Sequence, residues 1–231
     1  MAHGFGKIIF EEGEIYNGEW REDKANGYGE YQFKDGTVYR GDWVDDKQNG
    51  HGIEIWKDGS SYEGDYANNL KHGKGRLNVL SKGIYNGQFV NGAMNGFGIF
   101  EFKNGQVYKG EWNINKMEGE GTLQFVNQKT YKGTFVKGKR CGFGIITWPD
   151  GRRYEGNWVG DKQEGNGKFD FGTGHTKEGV WSKGILLKWL DCNDSGLKPS
   201  PNGSKLKALE KEGDHKVTNA VDTTTKIPKS H

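Results

Sequence analysis

The stretch Val-Tyr-Arg-Gly-Asp-Trp at residues 38–43 decides how this chain folds, because close variants of it return at regular intervals. It places a tyrosine, a glycine and a tryptophan two positions apart, with polar residues between them. Such alternation over a short run is typical of a β-strand with one apolar face. The variants at 15–20 and 107–112 keep the tyrosine, the glycine and the tryptophan.

The segment recurs every 23 residues (39 − 16 = 23) through most of the chain. Its tyrosine position holds Tyr16, Tyr39, Tyr62, Tyr85, Tyr108, Tyr131 and Tyr154, and Lys177 keeps the phase in an eighth copy. Its glycine position holds Gly18, Gly41, Gly64, Gly87, Gly110, Gly133, Gly156 and Gly179. Its last position holds a ring each time: Trp20, Trp43, Tyr66, Phe89, Trp112, Phe135, Trp158 and Trp181. A period of this length indicates repeats that pack only against their neighbours.

A second motif, Gly-x-Gly, follows each copy with the same period, as at Gly27 and Gly29. A turn sequence such as Lys-Asp-Gly at 34–36 then leads to the next tyrosine, which predicts a β-hairpin. If Phe33 lay opposite Tyr39, Trp43 would lie opposite Gly29, and each ring would cover a glycine of the adjoining strand. The repeated glycines are therefore predicted to be structural, because they leave room for rings.

The two faces of the predicted sheet differ in polarity. The positions one and three residues after the tyrosine, such as Arg40 and Asp42, are mostly polar, which predicts a solvated second face. The position of Tyr31 holds mostly bulky apolar residues, with Glu54 as the exception. We expect an all-β fold: an elongated, single-layer antiparallel ribbon of about 16 strands and roughly 75 Å. Strand twist should curl its aromatic face into an open groove.

Composition limits the function classes. Only 32% of the 231 residues are hydrophobic, whereas there are 39 glycines and 13% aromatics, which favours a thin structure over a conventional core. The net charge of +2 does not indicate a basic surface for binding nucleic acid. No apolar run approaches the roughly 20 residues of a membrane span. Two cysteines make no disulfide framework, so a cytoplasmic protein is expected.

The sequence contains no convincing motif for catalysis, metal binding or phosphate binding. Residues 133–140 resemble a phosphate-binding loop, but Arg140 stands where magnesium binding needs serine or threonine. The six histidines are dispersed, and Cys141 shares its repeat position with Asn26. We therefore expect no catalytic residue, no metal site and no cofactor.

The tyrosine segment and the in-phase Gly-x-Gly motif resemble the MORN (membrane occupation and recognition nexus) repeat over about residues 3–181. The resemblance implies a β-hairpin ribbon and, in most members, a non-catalytic role in scaffolding, dimerisation or holding a partner peptide. We expect residues 1–190 to form about eight repeats with a C-terminal cap, and 191–231 to be a tail that is disordered unless bound. The apolar run at 183–190 is interpreted as a capping strand or short helix, or alternatively as a partner-docking segment.

A single layer does not cover its own inner face, so the aromatic groove is the candidate protein-binding site. We expect a helix or extended segment of a partner, or a second copy of the chain, to bind there. The predicted groove residues are Tyr39, Trp43, Trp56, Tyr62, Tyr66, Tyr85, Phe89, Tyr108, Trp112, Tyr131, Phe135, Trp148, Tyr154 and Trp158.

The expected function is that of a structural scaffold or adaptor in a large cytoskeletal assembly. The resemblance to MORN proteins of radial spoke heads favours the axoneme of a cilium or flagellum. One alternative is a membrane-surface module that binds anionic phospholipid through a row of loop lysines: Lys24, Lys47, Lys116, Lys139 and Lys162. Another alternative is a regulatory subunit of a separate enzyme.

Overall fold

The computed structural model describes residues 1–190, and within them the fold is all-β. Seventeen antiparallel strands form one open sheet, with no helix in the described range. The strands are β1 (Gly4–Ile9), β2 (Ile15–Arg21), β3 (Lys24–Gln32), β4 (Val38–Val44), β5 (Lys47–Ile55), β6 (Ser61–Ala67), β7 (Leu70–Val79), β8 (Gly83–Val90), β9 (Ala93–Phe102), β10 (Val107–Asn113), β11 (Lys116–Gln124), β12 (Thr130–Val136), β13 (Lys139–Thr147), β14 (Arg153–Val159), β15 (Lys162–Asp170), β16 (Thr176–Ser182) and β17 (Ile185–Leu190).

Contacts divide the described residues into two units. The first contains Met1–Lys103 and Trp112–Asn115, and the second contains Asn104–Glu111 and the residues from Lys116 onward. In the first unit β1 to β9 pair in chain order, and in the second β11 to β17 do so. Even-numbered strands up to β16 carry the tyrosine position, and odd-numbered strands up to β15 carry Gly-x-Gly.

Two-residue turns connect each tyrosine strand to the Gly-x-Gly strand that follows. Both turn residues between β4 and β5 have positive φ, 47° at Asp45 and 62° at Asp46, which suits a tight hairpin. The Asp46 N–H donates to the Ala25 carbonyl at 3.0 Å, and the Asp46 Oδ1 accepts the Ala25 N–H at 2.8 Å. Asn69, Asn115 and Asp161 make the same pair of bonds to the preceding repeat. These turns therefore hold successive repeats together.

The hairpin turns predicted at Lys-Asp-Gly are confirmed, but the predicted register is wrong. The Phe33 N–H donates to the Thr37 carbonyl at 2.8 Å, so the turn closes between these two residues. Pairing consequently moves by two positions, and Tyr31 lies opposite Tyr39. Glycine pairs with glycine across the strands at Gly29 and Gly41, and Trp43 lies opposite Gly27.

The glycines make room for a ring, as predicted, although the ring comes from a different position. Tyr39 lies over Gly41 of its own strand and Gly52 of the next, and a Cβ on either glycine would come within 2.5 Å of its atoms. The Tyr39 hydroxyl donates to the Asp42 carbonyl at 3.0 Å, which fixes the ring along its own strand. The same arrangement holds at Tyr16, Tyr62, Tyr85, Tyr108, Tyr131 and Tyr154.

The run at 183–190 contributes a strand. Its strand β17 pairs with β16, and Leu186 Cδ1 would lie 2.8 Å from a Cβ on Gly179, where earlier repeats place a tyrosine. Leu186 therefore replaces the missing ring above the last glycine of the array. The prediction of a disordered tail falls on residues 191–231, which lie outside the described residues.

Candidate partner-binding face

The structure buries most of the rings predicted to line an open groove. All of the predicted groove residues except Trp56 and Trp148 are at most 6% exposed: Tyr39, Trp43, Tyr62, Tyr66, Tyr85, Phe89, Tyr108, Trp112, Tyr131, Phe135, Tyr154 and Trp158. The expectation that a single layer leaves these rings open to solvent is therefore wrong. Their part in binding a partner stays a prediction.

Edge-to-face contacts between repeats explain how the aromatic rings of a single-layer sheet are buried from solvent. Tyr39 contacts Trp43 of its own strand at 5.2 Å between ring centroids and Tyr66 of the next repeat at 5.1 Å, both nearly perpendicular. Trp43 in turn contacts Tyr16 of the preceding repeat at 5.4 Å, and its indole N–H donates to the Gly29 carbonyl at 3.2 Å. Such pairs contribute about 0.5–1.5 kcal/mol each beyond area burial. Lateral packing thus takes the place of a second layer.

A second set of rings stays partly exposed on this face. They occupy the position six residues before the tyrosine, where each hairpin turn begins, and we call them the loop-side rings. The loop-side rings are Phe10, Phe33, Trp56 and Phe102 in the first unit and Trp148 and Phe171 in the second. They rest on buried or half-buried neighbours, as Phe102 does on Phe100 at 4.5 Å and Trp148 on Phe169 at 5.9 Å. The sequence-based set included Trp56 and Trp148 and missed Phe10, Phe33, Phe102 and Phe171, although the shared repeat position was the available signal.

A buried ion pair explains the exceptional carboxylate at Glu54. Lys71 Nζ lies 2.7 Å from Glu54 Oε2, and both side chains are under a tenth exposed. The Tyr66 hydroxyl donates to the same oxygen at 3.0 Å, and burial followed by the Glu54 charge raises the pKa of Tyr66. The ammonium of Lys71 also lies 4.7 Å from the centroid of the Trp56 ring. The loop-side Trp56 is therefore positioned by a cation held beneath the face.

The second unit also places cations among its rings. The Arg140 guanidinium lies 4.6 Å from the Trp158 ring centroid, and its Nε lies 3.2 Å from Asp161 Oδ1. Lys129 Nζ lies 4.6 Å from the Phe125 ring centroid. Neither cation was assigned a role from the sequence, in which each looks like one more surface charge.

The second face carries mainly polar side chains, together with exposed rings such as Phe97 and Phe143, and its acids do more than face solvent. The Asp42 Oδ2 accepts the His51 N–H at 2.9 Å, and the Glu19 Oε1 accepts the Tyr28 N–H at 3.0 Å. These N–H groups lie at β-bulges, where the register of β2–β3 and β4–β5 shifts. Polar side chains at this repeat position thus satisfy backbone donors that the bulge leaves unpaired.

The loop lysines follow the two-residue turns and are exposed. Lys24 Nζ lies 3.7 Å from Asp45 Oδ1, and the adjacent acids Asp46 and Asp161 accept backbone N–H groups. Lipid binding by this row stays a prediction. Within residues 1–190 no cluster of three or more His, Cys, Asp or Glu is placed to hold a metal ion, and no helix is long and apolar enough to cross a membrane.

The buried tyrosines should make the fold sensitive to alkali. Burial, joined by the Glu19 charge at Tyr16 and the Glu164 charge at Tyr154, raises the pKa of both from 10.0 to about 12. Because the pKa of each tyrosine is higher in the folded than in the unfolded protein, its contribution to the free energy of unfolding is complete below pH 10. That contribution is lost as the pH rises towards about 12. Within that pH window, the free energy of unfolding should fall by about 1.4 kcal/mol per pH unit for each such tyrosine. Urea unfolding followed by circular dichroism on either side of pH 10 measures this, and an unchanged unfolding free energy above pH 10 would contradict it.

Proteins of known structure show a distant similarity to this chain. Comparison with curated protein sequences gave no match. Among solved structures, the wild-type TCP10 domain of Danio rerio CPAP is similar at 12% identity and a TM-score of 0.46, covering 81% of this chain and 89% of that chain. The SAS-4 (dCPAP) TCP domain in complex with a proline-rich motif of Ana2 (dSTIL) of Drosophila melanogaster is similar at 11% identity and a TM-score of 0.45, covering 77% and 90%.

The sequence profile of the MORN repeat matches seven stretches: residues 16–38, 39–61, 62–77, 85–107, 108–130, 131–152 and 154–176. Their starts coincide with the tyrosine position at all seven. Together they make up more than half of the sequence, and the chain therefore belongs to the MORN repeat family.

Proposed function

We propose that this protein is a non-catalytic scaffold or adaptor that docks protein partners on its aromatic face. Its setting is a cytoskeletal assembly in the cytoplasm, the axoneme of a cilium or flagellum, where it acts as a radial-spoke-type subunit. Membership of the MORN repeat family supports a repeat scaffold. The axonemal setting is supported by resemblance to the radial spoke members of that family.

The loop-side rings carry the docking proposal. Large aromatic side chains that are partly exposed and held rigid by their neighbours are typical anchors of protein interfaces. Trp56 meets this description, because the Lys71 ammonium lies 4.7 Å from its ring centroid. Trp148 meets it because it packs on Phe169 and beside Arg152, whose guanidinium lies 5.7 Å from the Trp148 ring centroid. Within each unit, a helix or an extended segment of a partner would cover the loop-side ring without disturbing the packing between repeats.

The choice of variants follows from burial. Trp112 and Trp158 suggest themselves from the sequence, but they are 5% and 3% exposed, so their loss would damage the fold itself. Trp56→Ala with Trp148→Ala removes the loop-side rings instead. Phe143→Ala is the matched control, because Phe143 is an exposed ring, at 54%, that lies on the second face.

The double variant should lose its place in the assembly. Each ring at an interface hot spot contributes about 2 kcal/mol, so removing one should weaken docking about thirtyfold. In ciliated cells, a tagged wild-type chain and the Phe143→Ala chain should remain with the detergent-insoluble axoneme, whereas the double variant should be released. Extraction of the wild-type chain with detergent, or equal retention of the double variant, would contradict the proposal.

A further inference from the structure

We propose that the outer edge of β1 binds an extended segment of a different polypeptide that carries tyrosine followed two residues later by glycine. The segment would add an antiparallel strand to the sheet. This site is separate from the loop-side rings, and it does not depend on the function proposed above.

The internal repeats provide the template for this site. The second glycine of each internal Gly-x-Gly motif pairs with a glycine of the preceding strand, as Gly29 does with Gly18. The tyrosine of that preceding strand lies over both glycines. A Cβ on Gly29 would lie 2.5 Å from the Tyr16 hydroxyl, and a Cβ on Gly52 would lie 2.5 Å from that of Tyr39. A Gly-x-Gly strand is therefore shaped to receive a tyrosine from its neighbour.

Strand β1 has the same shape but is paired on one side. Within the described residues it pairs with β2 alone, with Gly6 opposite Gly18. A Cβ on Gly6 would come no closer than 3.4 Å to any atom, and those atoms belong to the Trp20 indole. The Trp20 indole N–H donates to the Gly6 carbonyl at 3.1 Å, as the Trp43 indole does to Gly29. The backbone of β1 thus keeps the internal geometry, with no tyrosine above Gly6.

Trp20 is the second half of the same site. Inside the array Trp43 contacts two tyrosines, Tyr39 of its own strand and Tyr16 of the repeat before, and is 6% exposed. In the described chain Trp20 contacts one tyrosine, Tyr16, at 5.0 Å, and it is partly exposed. A tyrosine seated over Gly6 would occupy the position that Tyr16 has beside Trp43.

The rest of the array indicates which occupant fits. A second copy of this chain has its tyrosine strands engaged, since β4, for example, pairs with β3 on one side and β5 on the other. The opposite end of the array is closed differently, because Lys177 replaces the tyrosine and Leu186 packs above Gly179. The occupant is therefore a segment of another polypeptide, held by main-chain hydrogen bonds along β1 and selected by the fit of its ring over Gly6.

One substitution separates binding from folding. Alanine at position 6 would make only ordinary contacts within the chain, because its Cβ lies 3.4 Å from the nearest atom. A tyrosine seated above it, as Tyr16 is above Gly29, would lie 2.5 Å from that Cβ. Gly6→Ala should therefore exclude the segment without unfolding the protein. Lys7→Ala is the matched control, because Lys7 neighbours Gly6 but its side chain projects from the other face of the strand.

The test uses the full chain and a fluorescent peptide with the sequence of residues 36–45, which contains Val-Tyr-Arg-Gly-Asp-Trp. Fluorescence anisotropy should show saturable binding to the wild-type and Lys7→Ala proteins, weakened roughly ten- to hundredfold by Gly6→Ala. Thermal melting should be unchanged by Gly6→Ala. A peptide with Tyr39→Ala, or with the same residues scrambled, should fail to bind the wild-type protein, which tests the ring without altering the protein.

The outcomes separate the two proposals. The Trp56→Ala, Trp148→Ala protein should bind the peptide as the wild type does. No binding to the wild-type protein, equal binding by Gly6→Ala, or equal binding of the scrambled peptide would overturn the β1 site while leaving the aromatic face untouched.

Discussion

Replacing Gly98 by alanine should destabilise the protein by about 3 kcal/mol, which is at the upper end of the usual cost of overpacking a core. A Cβ at this position would lie 2.3 Å from the Tyr85 hydroxyl and ring. Tyr85 is fully buried, so its ring has no open space into which it can move. Urea unfolding followed by circular dichroism measures the loss as a lower midpoint.

The chain contains its own control for this prediction. Gly6 holds the same position of the Gly-x-Gly motif, but a Cβ there meets nothing closer than 3.4 Å. Gly6→Ala should therefore change the unfolding free energy by less than about 0.5 kcal/mol. If the two substitutions had equal effects, the cost would come from the backbone preference of glycine, and the account of the tyrosine ring would be wrong.

Replacing Lys71 by methionine should cost about 3–5 kcal/mol, because it leaves a buried carboxylate without its cation. The Glu54 side chain is 7% exposed, and its remaining partner is the Tyr66 hydroxyl. Methionine itself fits this repeat position, since Met94 and Met117 occupy it in later repeats. The loss would therefore report on the charge and not on the shape of the new side chain.

The next repeat supplies the rescue. At the positions of Glu54, Tyr66 and Lys71 it has Leu77, Phe89 and Met94, all buried. The triple variant Glu54→Leu, Tyr66→Phe, Lys71→Met copies that apolar set and should recover most of the unfolding free energy, since apolar replacement of a buried ion pair is often neutral or stabilising. A triple variant no more stable than Lys71→Met alone would contradict the interpretation of the cluster as an ion pair.

The sequence predicts the repeat but not its register. Alternation and the fixed period predict antiparallel hairpins with glycines under rings, and the structure confirms both. The ring that covers Gly41 is Tyr39 of the same strand and not a ring of β3, because the turn closes between Phe33 and Thr37 and places Gly29 opposite Gly41. Alternation with period two is preserved when pairing shifts by two residues, so pattern alone does not distinguish the two registers.

The candidate site is less predictable than the fold. Edge-to-face packing between Tyr39 and Tyr66 buries rings that a single layer was expected to expose, and this depends on ring orientation, which the sequence pattern does not show. The pairing of Glu54 with Lys71 likewise joins two different repeat positions. Trp56 and Trp148 were among the predicted groove residues, and the structure adds that they remain partly exposed.

The division between packing and binding changes how variation along the array is interpreted. The side chains at the tyrosine position are buried over glycines, so they have little surface left to contact a partner. The variable positions around it hold the loop-side rings and the cation of Lys71, which differ from repeat to repeat. Partner choice should therefore depend on those variable positions, and fold stability on the repeated tyrosine segment and Gly-x-Gly motif.

Site-specific photocrosslinking tests the docking claim most directly. A photoreactive phenylalanine analogue would be placed at position 56 or 148 of the tagged chain in cells, and at position 143 as the control on the second face. Mass spectrometry of the adducts should identify peptides of one partner polypeptide at positions 56 and 148 and none of them at position 143. Adducts only at position 143, or none from any of the three positions, would contradict docking on the aromatic face.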